Sequence, residues 1–167
     1  MKRSIFIVCL LILSLVARGV EHHFNEGAIA SFLINYTKAI TTDGTIYTCT
    51  GNAAFTNATI GGKDYGIYLK IPQNSAVIVS PAKQGLNEII IHHISNTVSM
   101  QVSVSTDSIS WTPVAGTQNT KNVTVEGLSG NYYVKMTNTY GSNTDIQVTE
   151  MEYYMTTCPN CFTVVAP

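Results

Sequence analysis

The fold class of this chain is decided by residues 98–116, which read VSMQVSVSTDSISWTPVAG. In the first half, Val98, Met100, Val102 and Val104 alternate with polar residues, which is the period-two pattern of a strand with one buried face. The segment TDSIS then supplies turn formers, because Asp and Ser side chains can hydrogen-bond to nearby backbone groups. WTPVAG begins a second extended run. The stretch therefore predicts strand, turn and strand, and its Ser/Asp cluster is explained without catalysis.

The same pattern continues through most of the chain from Thr45 onward. Runs rich in Val, Ile, Tyr and Thr are bounded by Gly, Asn, Pro and Ser, and no crossover helices separate them. These runs are TIYTC, GIYLKI, SAVIVS, NEIIIHHI, VSMQVSVS, NVTVE, NYYVKMTN and DIQVTEMEYYM. Short strands at this spacing predict an antiparallel β-sandwich over residues 45–167. We expect LNEIIIHHI, with its continuous apolar middle, to be a central strand buried on both faces.

One segment ahead of these runs has a helical pattern. In NEGAIASFLINYTKAI, residues 25–40, five apolar residues fall at i, i+3, i+4, i+7 and i+11. They are Ile29, Phe32, Leu33, Tyr36 and Ile40. Asn25 can cap the start of a helix, and Glu26 suits its positive first turn. We therefore predict a short amphipathic helix within an N-terminal segment of residues 20–44, covering one side or end of the sheet.

The N-terminus has the pattern of a secretory signal peptide. Lys2 and Arg3 precede the uncharged run IFIVCLLILSLVA, and the small residues Ala17 and Gly19 lie before a plausible cleavage site. The apolar run is shorter than the roughly 20 residues that a transmembrane helix needs. We predict a signal peptide of residues 1–19 and a secreted, periplasmic or cell-surface mature chain with no membrane insertion. An uncleaved anchor is the competing interpretation.

Charge limits the classes of partner. The full chain has 9 Lys and Arg against 10 Asp and Glu. Loss of the signal peptide would remove Lys2, Arg3 and Arg18, which leaves a net charge of −4 and no arginine. Arginine is the usual bidentate reader of phosphate and guanine, and basic patches provide affinity for nucleic acids. Nucleic acid and anionic membrane are therefore poor candidates as partners.

Three cysteines remain after the signal peptide, at Cys49, Cys158 and Cys161. Disulfides are expected in an exported protein. The CPNC motif resembles a redox site, but that chemistry needs a helix N-terminus after the first cysteine, and a zinc site would need further ligands at matching spacing. Neither is evident. We predict a structural disulfide, either from Cys49 to one of the other two or between Cys158 and Cys161.

The motifs do not support a Ser/His/Asp hydrolase. The chain has no G-x-S-x-G elbow, and the candidate serines would lie on a hairpin without an oxyanion-hole loop. His92 and His93 are adjacent on one strand and point to opposite faces, so only one could serve a site. We expect one inward, hydrogen-bonded histidine and one at the surface. The residues considered for such a triad are Ser105, Ser108, Asp107, Asp145, His92 and His93.

Glu150 and Glu152 form a pair of acidic residues that could be compared with a glycosidase site. They lie on one face of one strand, roughly 7 Å apart by strand rise, within the range of paired glycosidase carboxylates. They alternate with Met151 and Tyr153, which favours the solvent side, so we interpret them as surface acids. The chain is predicted to be non-catalytic and to need no cofactor. Acidic loop residues could hold calcium, but no ligand spacing argues for a metal site.

Three segments resemble the galactose-binding-domain-like jelly rolls, which include discoidin-type and carbohydrate-binding modules of secreted bacterial proteins. In that family a strand is followed by S-x-D-G-x-x-W-x-x-V, then by a Tyr-aromatic-Val-Lys/Arg run, and then by a final strand containing Glu. The matching residues are Ser105, Asp107, Trp111 and Val114, then residues 132–138, and then residues 146–153. The chain departs from the family at Ser108, where a turn glycine is usual, and has Lys135 in place of the usual Arg.

The resemblance implies a jelly roll in which Trp111 packs inside the sandwich and loops at one end bind the ligand. Exposed aromatic rings stack on the C–H faces of sugars, and neighbouring amides bond their hydroxyls. The implied ligand-binding residues are Tyr65, Asp64, Asn96, Tyr140 and Asn143. We therefore expect a secreted, non-catalytic module that recognises carbohydrate or a cell-surface glycan.

Two other functions remain open at this point. The first is a structural or adhesive subunit, of a surface or fimbrial type, whose strands pair with a partner and which would form oligomers. The apolar tail CFTVVAP, residues 161–167, could be the strand that is exchanged. The second is an accessory module of a longer secreted enzyme that degrades polysaccharide.

Overall fold

The computed structural model describes residues 18–33, 35–60, 63–95, 98–141 and 143–155. This part of the chain is all-β, and every strand pairing in it is antiparallel. The strands are β1 Arg18–His23, β2 Ile29–Leu33, β3 Lys38–Thr41, β4 Ile46–Thr50, β5 Ala54–Ile60, β6 Lys63–Ile71, β7 Ala76–His93, β8 Met100–Ser105, β9 Thr112–Val114, β10 Thr117–Gln118, β11 Asn122–Val125, β12 Gly130–Asn138 and β13 Ile146–Met155. The predicted all-β antiparallel fold class is confirmed.

The sheet curls into two halves because the long strand β7 belongs to both. The first part of β7 pairs with β4 on one edge and β12 on the other, and the sheet continues to β2 and to β9. The second part pairs with β11 and β13. The opposite edge of β13 pairs with β6 and then with β1. This arrangement is consistent with a β-sandwich, whereas the finer jelly-roll assignment stays a prediction.

The sequence pattern divides β7 into two strands, because Pro81 interrupts its apolar runs. In the structure the strand passes through Pro81, and its pairing with β12 shifts register across that residue and again across residues 84–85. Proline lacks an N–H donor and is tolerated where a bulge interrupts the ladder. Gly85 follows with a φ of 62°, a left-handed conformation that glycine adopts without a Cβ clash. The strand therefore turns from one half of the sheet to the other over residues 81–85.

The core lies between the two halves of the sheet. Its largest fully buried side chains are Tyr47, Tyr153, Phe24, Phe55, Leu69, Ile71, Leu86, Ile89, Ile91, Met136, Ile146 and Met151. The segment LNEIIIHHI is central, as predicted, because β7 is paired along both edges there. Burial on both of its faces is incomplete, since Ile89 and Ile91 are buried while Ile90 and His92 are half-buried.

The predicted N-terminal helix is wrong, because residues 25–40 contain the β2–β3 hairpin. Phe32 pairs with Ala39, and the turn residues Asn35 and Tyr36 have φ angles of 49° and 60°. Positive φ at both central residues is the requirement of a type I′ turn, which joins two strands. Four of the five apolar residues lie in these two strands, and the fifth, Tyr36, lies in the turn between them. Their combined spacing nevertheless resembles that of one face of a helix. Pairing of β3 with β4 then favours the strand conformation.

The turn predicted after β8 is present. Asp107 Oδ1 accepts hydrogen bonds from the backbone N–H groups of Ile109 and Ser110, both at 2.8 Å, and from Ser105 Oγ at 2.7 Å. Ser108 adopts the left-handed conformation, with a φ of 61°, that the family's glycine would adopt. The Ser/Asp cluster is therefore a turn motif, and the same hydrogen bonds lower the pKa of Asp107 below its ordinary value.

Trp111 does not pack in the core, contrary to the expectation from the resemblance. It is half-buried, and Lys135 Nζ lies 4.4 Å from the centre of its ring. A cation over the face of an aromatic ring is attracted by the negative potential of that face. The pair lies on the outer side of the β8–β12 region, so Trp111 covers the sheet from outside.

Several predictions fall on residues outside the described part of the chain. They are the signal peptide up to residue 17, Asn96, and the cysteines Cys158 and Cys161. Cys49 is half-buried in β4 and has no disulfide partner among the described residues, so the structural disulfide stays a prediction. Within the described ranges, no helix is long and apolar enough to cross a bilayer.

Candidate functional site

The loop residues predicted to bind a ligand are placed as follows. Asp64 is exposed near the start of β6, where its Oδ1 accepts a hydrogen bond from the Gly66 N–H at 2.8 Å, and Tyr65 is its neighbour in the same strand. Tyr140 and the exposed Asn143 belong to the connection between β12 and β13. The Tyr140 N–H donates to Asn138 Oδ1 at 3.0 Å, which holds the start of this loop.

These residues form two groups and not one. Asn138 Nδ2 donates to the carbonyls of Ile71 and Thr144, each at 2.8 Å, so the β12–β13 loop lies beside the end of β6. Asp64 lies seven residues before Ile71, which is roughly 23 Å along a strand. Tyr140 and Asn143 therefore share the β12–β13 loop beside one end of β6, whereas Asp64 and Tyr65 lie near the other end of that strand.

A better-formed site is a groove between the β2–β3 turn and the hairpin of β5 and β6. Its volume is about 300 Å³, and we call it the aromatic groove. Among the described residues, six uncharged side chains line it, and half of them are aromatic: Phe32, Tyr36, Phe55, Thr56, Asn57 and Ile67. Ligand sites are commonly concave, mainly apolar surfaces with a few polar groups that fix orientation.

Tyr36 presents the accessible ring of this groove. It is 55% exposed although it is a large aromatic residue. Its ring packs on Phe32 with a centroid distance of 4.7 Å, and Phe32 in turn packs on Phe55 at 5.7 Å. The carbonyl of Tyr36 accepts a hydrogen bond from the Phe55 N–H at 3.0 Å, which ties the turn to β5. The exposed Tyr36 ring is therefore held in place by its packing on Phe32 and by the backbone hydrogen bond to β5.

The aromatic packing continues from the groove into the core. Phe55 meets Phe24 edge-on at 5.3 Å, and Phe24 meets Tyr47 edge-on at 5.4 Å. Edge-to-face pairs of this kind contribute roughly 0.5–1.5 kcal/mol each beyond the burial of area. The floor of the groove is therefore the outer end of a packed aromatic series, and it can hold its shape without a ligand.

The polar groups of the groove lie on its rim. Asn57 is exposed and Thr56 is half-buried, and both line the groove from β5. An amide offers two donors and an acceptor, and a hydroxyl offers one donor and accepts as well. Since the described lining carries no charge, the groove suits a neutral ligand with one apolar face and several hydroxyls.

A second cluster of titratable groups is buried between β1, β4 and β13. His22 Nδ1 lies 2.6 Å from the Tyr47 hydroxyl, which lies 3.0 Å from the Tyr153 hydroxyl. His22 Nε2 lies 3.1 Å from Asp43 Oδ2, and Lys83 Nζ donates to Thr45 Oγ1 at 2.6 Å. All of these side chains are buried except that of Asp43, which is 38% exposed. We call this set the buried polar network.

Burial dominates the electrostatics of that network. It lowers the pKa of His22, although the hydrogen bond to Asp43 partly offsets the effect, and it raises the pKa of Tyr47. It also lowers the pKa of Lys83, whose ammonium lies 4.4 Å from the centre of the Tyr153 ring. With its groups hydrogen-bonded to one another in the interior, the network has the properties of a structural element that fixes β1 to the sheet.

The sequence pattern did not identify the aromatic groove. Phe32 and Tyr36 are predicted to lie on the apolar face of a helix, and residues 54–60, which include Asn57, are not among the predicted strands. The available signal was the Asn35–Tyr36 pair, because Asn tolerates the left-handed conformation that a hairpin turn requires. Assigning a turn there would have placed Tyr36 at an exposed tip.

No family model matches the chain, and no curated protein matches it. One solved structure that resembles it carries the description "The complexity of the Ruminococcus flavefaciens cellulosome reflects an expansion in glycan recognition". That chain is 17% identical, with a TM-score of 0.46, and the match covers 86% of this chain and 98% of that one.

Proposed function

We propose that this protein is a secreted, non-catalytic β-sandwich that binds a neutral carbohydrate in the aromatic groove. The observation that carries the proposal is the exposed Tyr36 ring, packed on Phe32 beside uncharged polar groups. A sugar ring has an apolar C–H face and a rim of hydroxyls. It can stack on Tyr36 while the Asn57 amide and the Thr56 hydroxyl bond its edge.

Pre-organisation supports this assignment. The two left-handed residues of the β2–β3 turn and the hydrogen bond from Phe55 to the Tyr36 carbonyl fix the ring before a ligand arrives. Fixing a side chain in advance lowers the entropy lost on binding. Small aromatic platforms of this kind suit weak, reversible recognition of repeated sugar units.

The test is a broad glycan array probed with the purified protein, with and without calcium. Ligands that bind are then titrated calorimetrically against Tyr36→Ala. We expect a loss of affinity of about tenfold or more, since truncation of an aromatic residue at the centre of a site commonly costs above 1 kcal/mol. Tyr132→Ala is the matched control, because Tyr132 is half-buried and lies outside the groove.

Two further variants separate the groove from the predicted loop sites. Tyr65→Ala and Tyr140→Ala each remove a ring from one end of β6. If either abolishes binding while Tyr36→Ala does not, the site lies at that loop and the aromatic groove is wrong. Calcium dependence would instead favour acidic loop residues as ligands.

The choice of host matters for this experiment. Asn35 and Asn57 each begin an N-x-T sequon; Asn57 lines the groove, and Asn35 directly precedes Tyr36, which also lines it. N-linked glycans are bulky, so modification in a eukaryotic host would cover the proposed site. A bacterial host without N-glycosylation leaves the groove open.

One observation favours a structural or adhesive subunit as a second candidate. Strand β2 ends its half of the sheet, and within the described chain only β3 pairs with it. Leu33 of this strand is 39% exposed. An edge strand with an exposed apolar residue can add a strand from a partner. Oligomers in solution, together with a blank glycan array, would support this candidate.

Secretion is part of the proposal and has its own test. N-terminal sequencing of the mature protein should begin at Val20 if residues 1–19 are a signal peptide. Strand β1 pairs from Arg18 to His23 with β13, so this cleavage leaves residues 20–23 to pair with it.

A further inference from the structure

Three neighbouring strands bring histidines and glutamates to one outer face of the sheet, away from the aromatic groove. The register pairs His23 of β1 with Glu150 of β13, and Glu150 with His92 of β7. Glu21 and Glu152 pair in the next row. Side chains directly opposite each other on adjacent strands lie on the same face, with Cβ atoms about 4.5–5.5 Å apart. The row His23–Glu150–His92 is therefore a compact set of metal-ligating groups.

A β-bulge creates this row. The register of β13 against β7 shifts between Val148 and Glu150, so Thr149 is an extra residue in β13. Bulges redirect side chains and are frequent beside functional sites. Here the bulge changes the phase of the strand, which places Glu150 opposite His92 and carries Glu152 to the same face. An uninterrupted strand that buries Val148 would not place Glu150 there.

The distances within the set suit a metal ion. His23 Nδ1 lies 3.2 Å from Glu150 Oε2, and His92 Nε2 contacts Glu152 Oε1. Ligand atoms of His92, Glu150 and Glu152 all lie within 4.8 Å of one another. In a tetrahedral zinc site, ligands at 2.0–2.2 Å from the metal are separated by about 3.3–3.5 Å. The ligand atoms of His92, Glu150 and Glu152 therefore need to close by at most about 1.5 Å to coordinate one ion.

Neighbouring groups orient the ligands. Glu21 Oε2 lies 3.2 Å from His23 Nε2, which leaves Nδ1 directed at Glu150. The Tyr154 hydroxyl donates a hydrogen bond to Glu152 Oε2, which leaves the other carboxylate oxygen at His92. Metal-binding histidines and carboxylates are commonly held by a second hydrogen bond of this kind.

The face also carries an excess of negative charge. Glu88 and Glu126 lie beyond the row, and the pKa of Glu88 is raised by burial and by the charges of Glu126 and Glu152. Among the described residues, the ion pairs of Glu21, Glu150 and Glu152 are all with histidines. A cation arriving from solvent is therefore attracted to this face.

We propose that this face binds a divalent transition-metal ion of the zinc class through His92, Glu150 and Glu152, with His23 as the fourth ligand. Two imidazoles and two carboxylates fit zinc and not calcium, which takes oxygen ligands alone. The ligands are half-buried or partly exposed, so the ion can enter from solvent. Binding replaces the His–Glu hydrogen bonds and releases any proton held on the imidazoles. Because the site joins β1 to β13 and β7, the metal would fasten the first strand of the domain.

The test is a zinc titration of the purified full-length protein after its thiols are alkylated, because free cysteines also bind zinc. Isothermal calorimetry should give one zinc ion per chain. In NMR spectra of the imidazole rings, the signals of His23 and His92 should shift while those of the buried His22 and His93 stay in place. If the His23 and His92 signals do not move, the proposal is wrong, and no variant is needed to reach that conclusion.

Substitutions then assign the ligands. Glu150→Gln keeps the shape of the side chain and should weaken zinc binding at least tenfold, and His92→Gln should do the same. Glu126→Gln is the control, because it removes one charge near the face without removing a ligand. Equal losses in Glu150→Gln and Glu126→Gln would show diffuse electrostatic attraction and overturn the site. Neither outcome depends on carbohydrate binding, which is measured at the groove.

Discussion

The buried polar network allows one prediction to be worked through in detail. In Tyr47→Phe the ring keeps its place, including the edge contacts to Phe24 at 5.4 Å and Phe55 at 5.9 Å. Only the hydroxyl is lost, together with its hydrogen bonds to His22 and Tyr153. The substitution therefore isolates the contribution of one polar atom in a fully buried position.

The magnitude follows from what the partners retain. His22 keeps its hydrogen bond to Asp43, and among the described residues the Tyr153 hydroxyl keeps a contact of 3.4 Å to the sulfur of Met151 alone. A buried polar group left without its partner costs about 1–3 kcal/mol. The Tyr153 hydroxyl would lose its main hydrogen bond, whereas His22 would keep one of its two. We therefore expect the free energy of unfolding to fall by about 2–3 kcal/mol. For a domain of this size each kcal/mol lowers Tm by roughly 2–4 °C.

The assay is urea unfolding followed by fluorescence, with an unchanged m value as the check that the native and unfolded states are comparable. Tyr132→Phe is the matched control. Its hydroxyl lies 3.4 Å from the Ser129 carbonyl in a half-buried position, so its removal should change stability by less than about 0.5 kcal/mol. If Tyr47→Phe costs no more than Tyr132→Phe, the hydroxyl is not part of a stabilising network and the reasoning fails.

Three further predictions concern other parts of the chain. Asn138→Asp should destabilise the fold by about 2–4 kcal/mol in urea unfolding, because it turns a fully buried carboxylate toward the carbonyls that Asn138 Nδ2 now bonds. Ser108→Gly should stabilise by up to about 1 kcal/mol, since it relieves the left-handed conformation of a residue with a Cβ. NMR titration should give His22 a pKa below 6.5, because burial lowers it, and Lys83→Met should raise it by removing a nearby ammonium. A histidine pKa lowered by folding means that stability is present above pH 6.5 and is lost as the pH falls through and below that value.

Each of these has a result that would contradict it. If the free energy of unfolding of Asn138→Asp lies within about 0.5 kcal/mol of the parent's, the usual range for a substitution that breaks no specific interaction, the Asn138 amide does not hold the loop. A destabilising Ser108→Gly, with Ser110→Gly as the control in the same turn, would show that Ser108 is unstrained. A His22 pKa at or above 6.5 would mean that the imidazole is solvated or protonated in the folded state.

The sequence predicts the strands well because alternation is a local signal. VSMQVSVS and NYYVKMTN correspond to β8 and β12, and the turn between the first of these and WTPV forms around Asp107 as its side chain requires. The prediction for the N-terminal segment is wrong because four apolar residues in two strands and one in the turn between them reproduce the spacing of a helical face. Local pattern does not report the partner strand, and pairing with β4 decides the outcome.

The candidate sites were harder to predict because both depend on register. Glu150 and His92 are 58 positions apart in the sequence, and only the bulge at Thr149 places them opposite each other. Tyr36 is exposed because it lies in the β2–β3 turn. Phe55 of β5 is buried, and its N–H donates to the Tyr36 carbonyl, so the groove depends on how β5 is placed against this turn. Single residues such as Tyr65 and Tyr140 have plausible chemistry, but the topology places them at opposite ends of β6.

The shared strand β7 has a consequence for how this domain can change over evolutionary time. Its first part completes one half of the sheet and its second part completes the other, with residues 81–85 as the joint. Neither half can be duplicated, exchanged or lost by recombination without breaking the other. Sites on the two halves are therefore inherited together, and diversification is confined to the turns and outer faces that β7 does not bury.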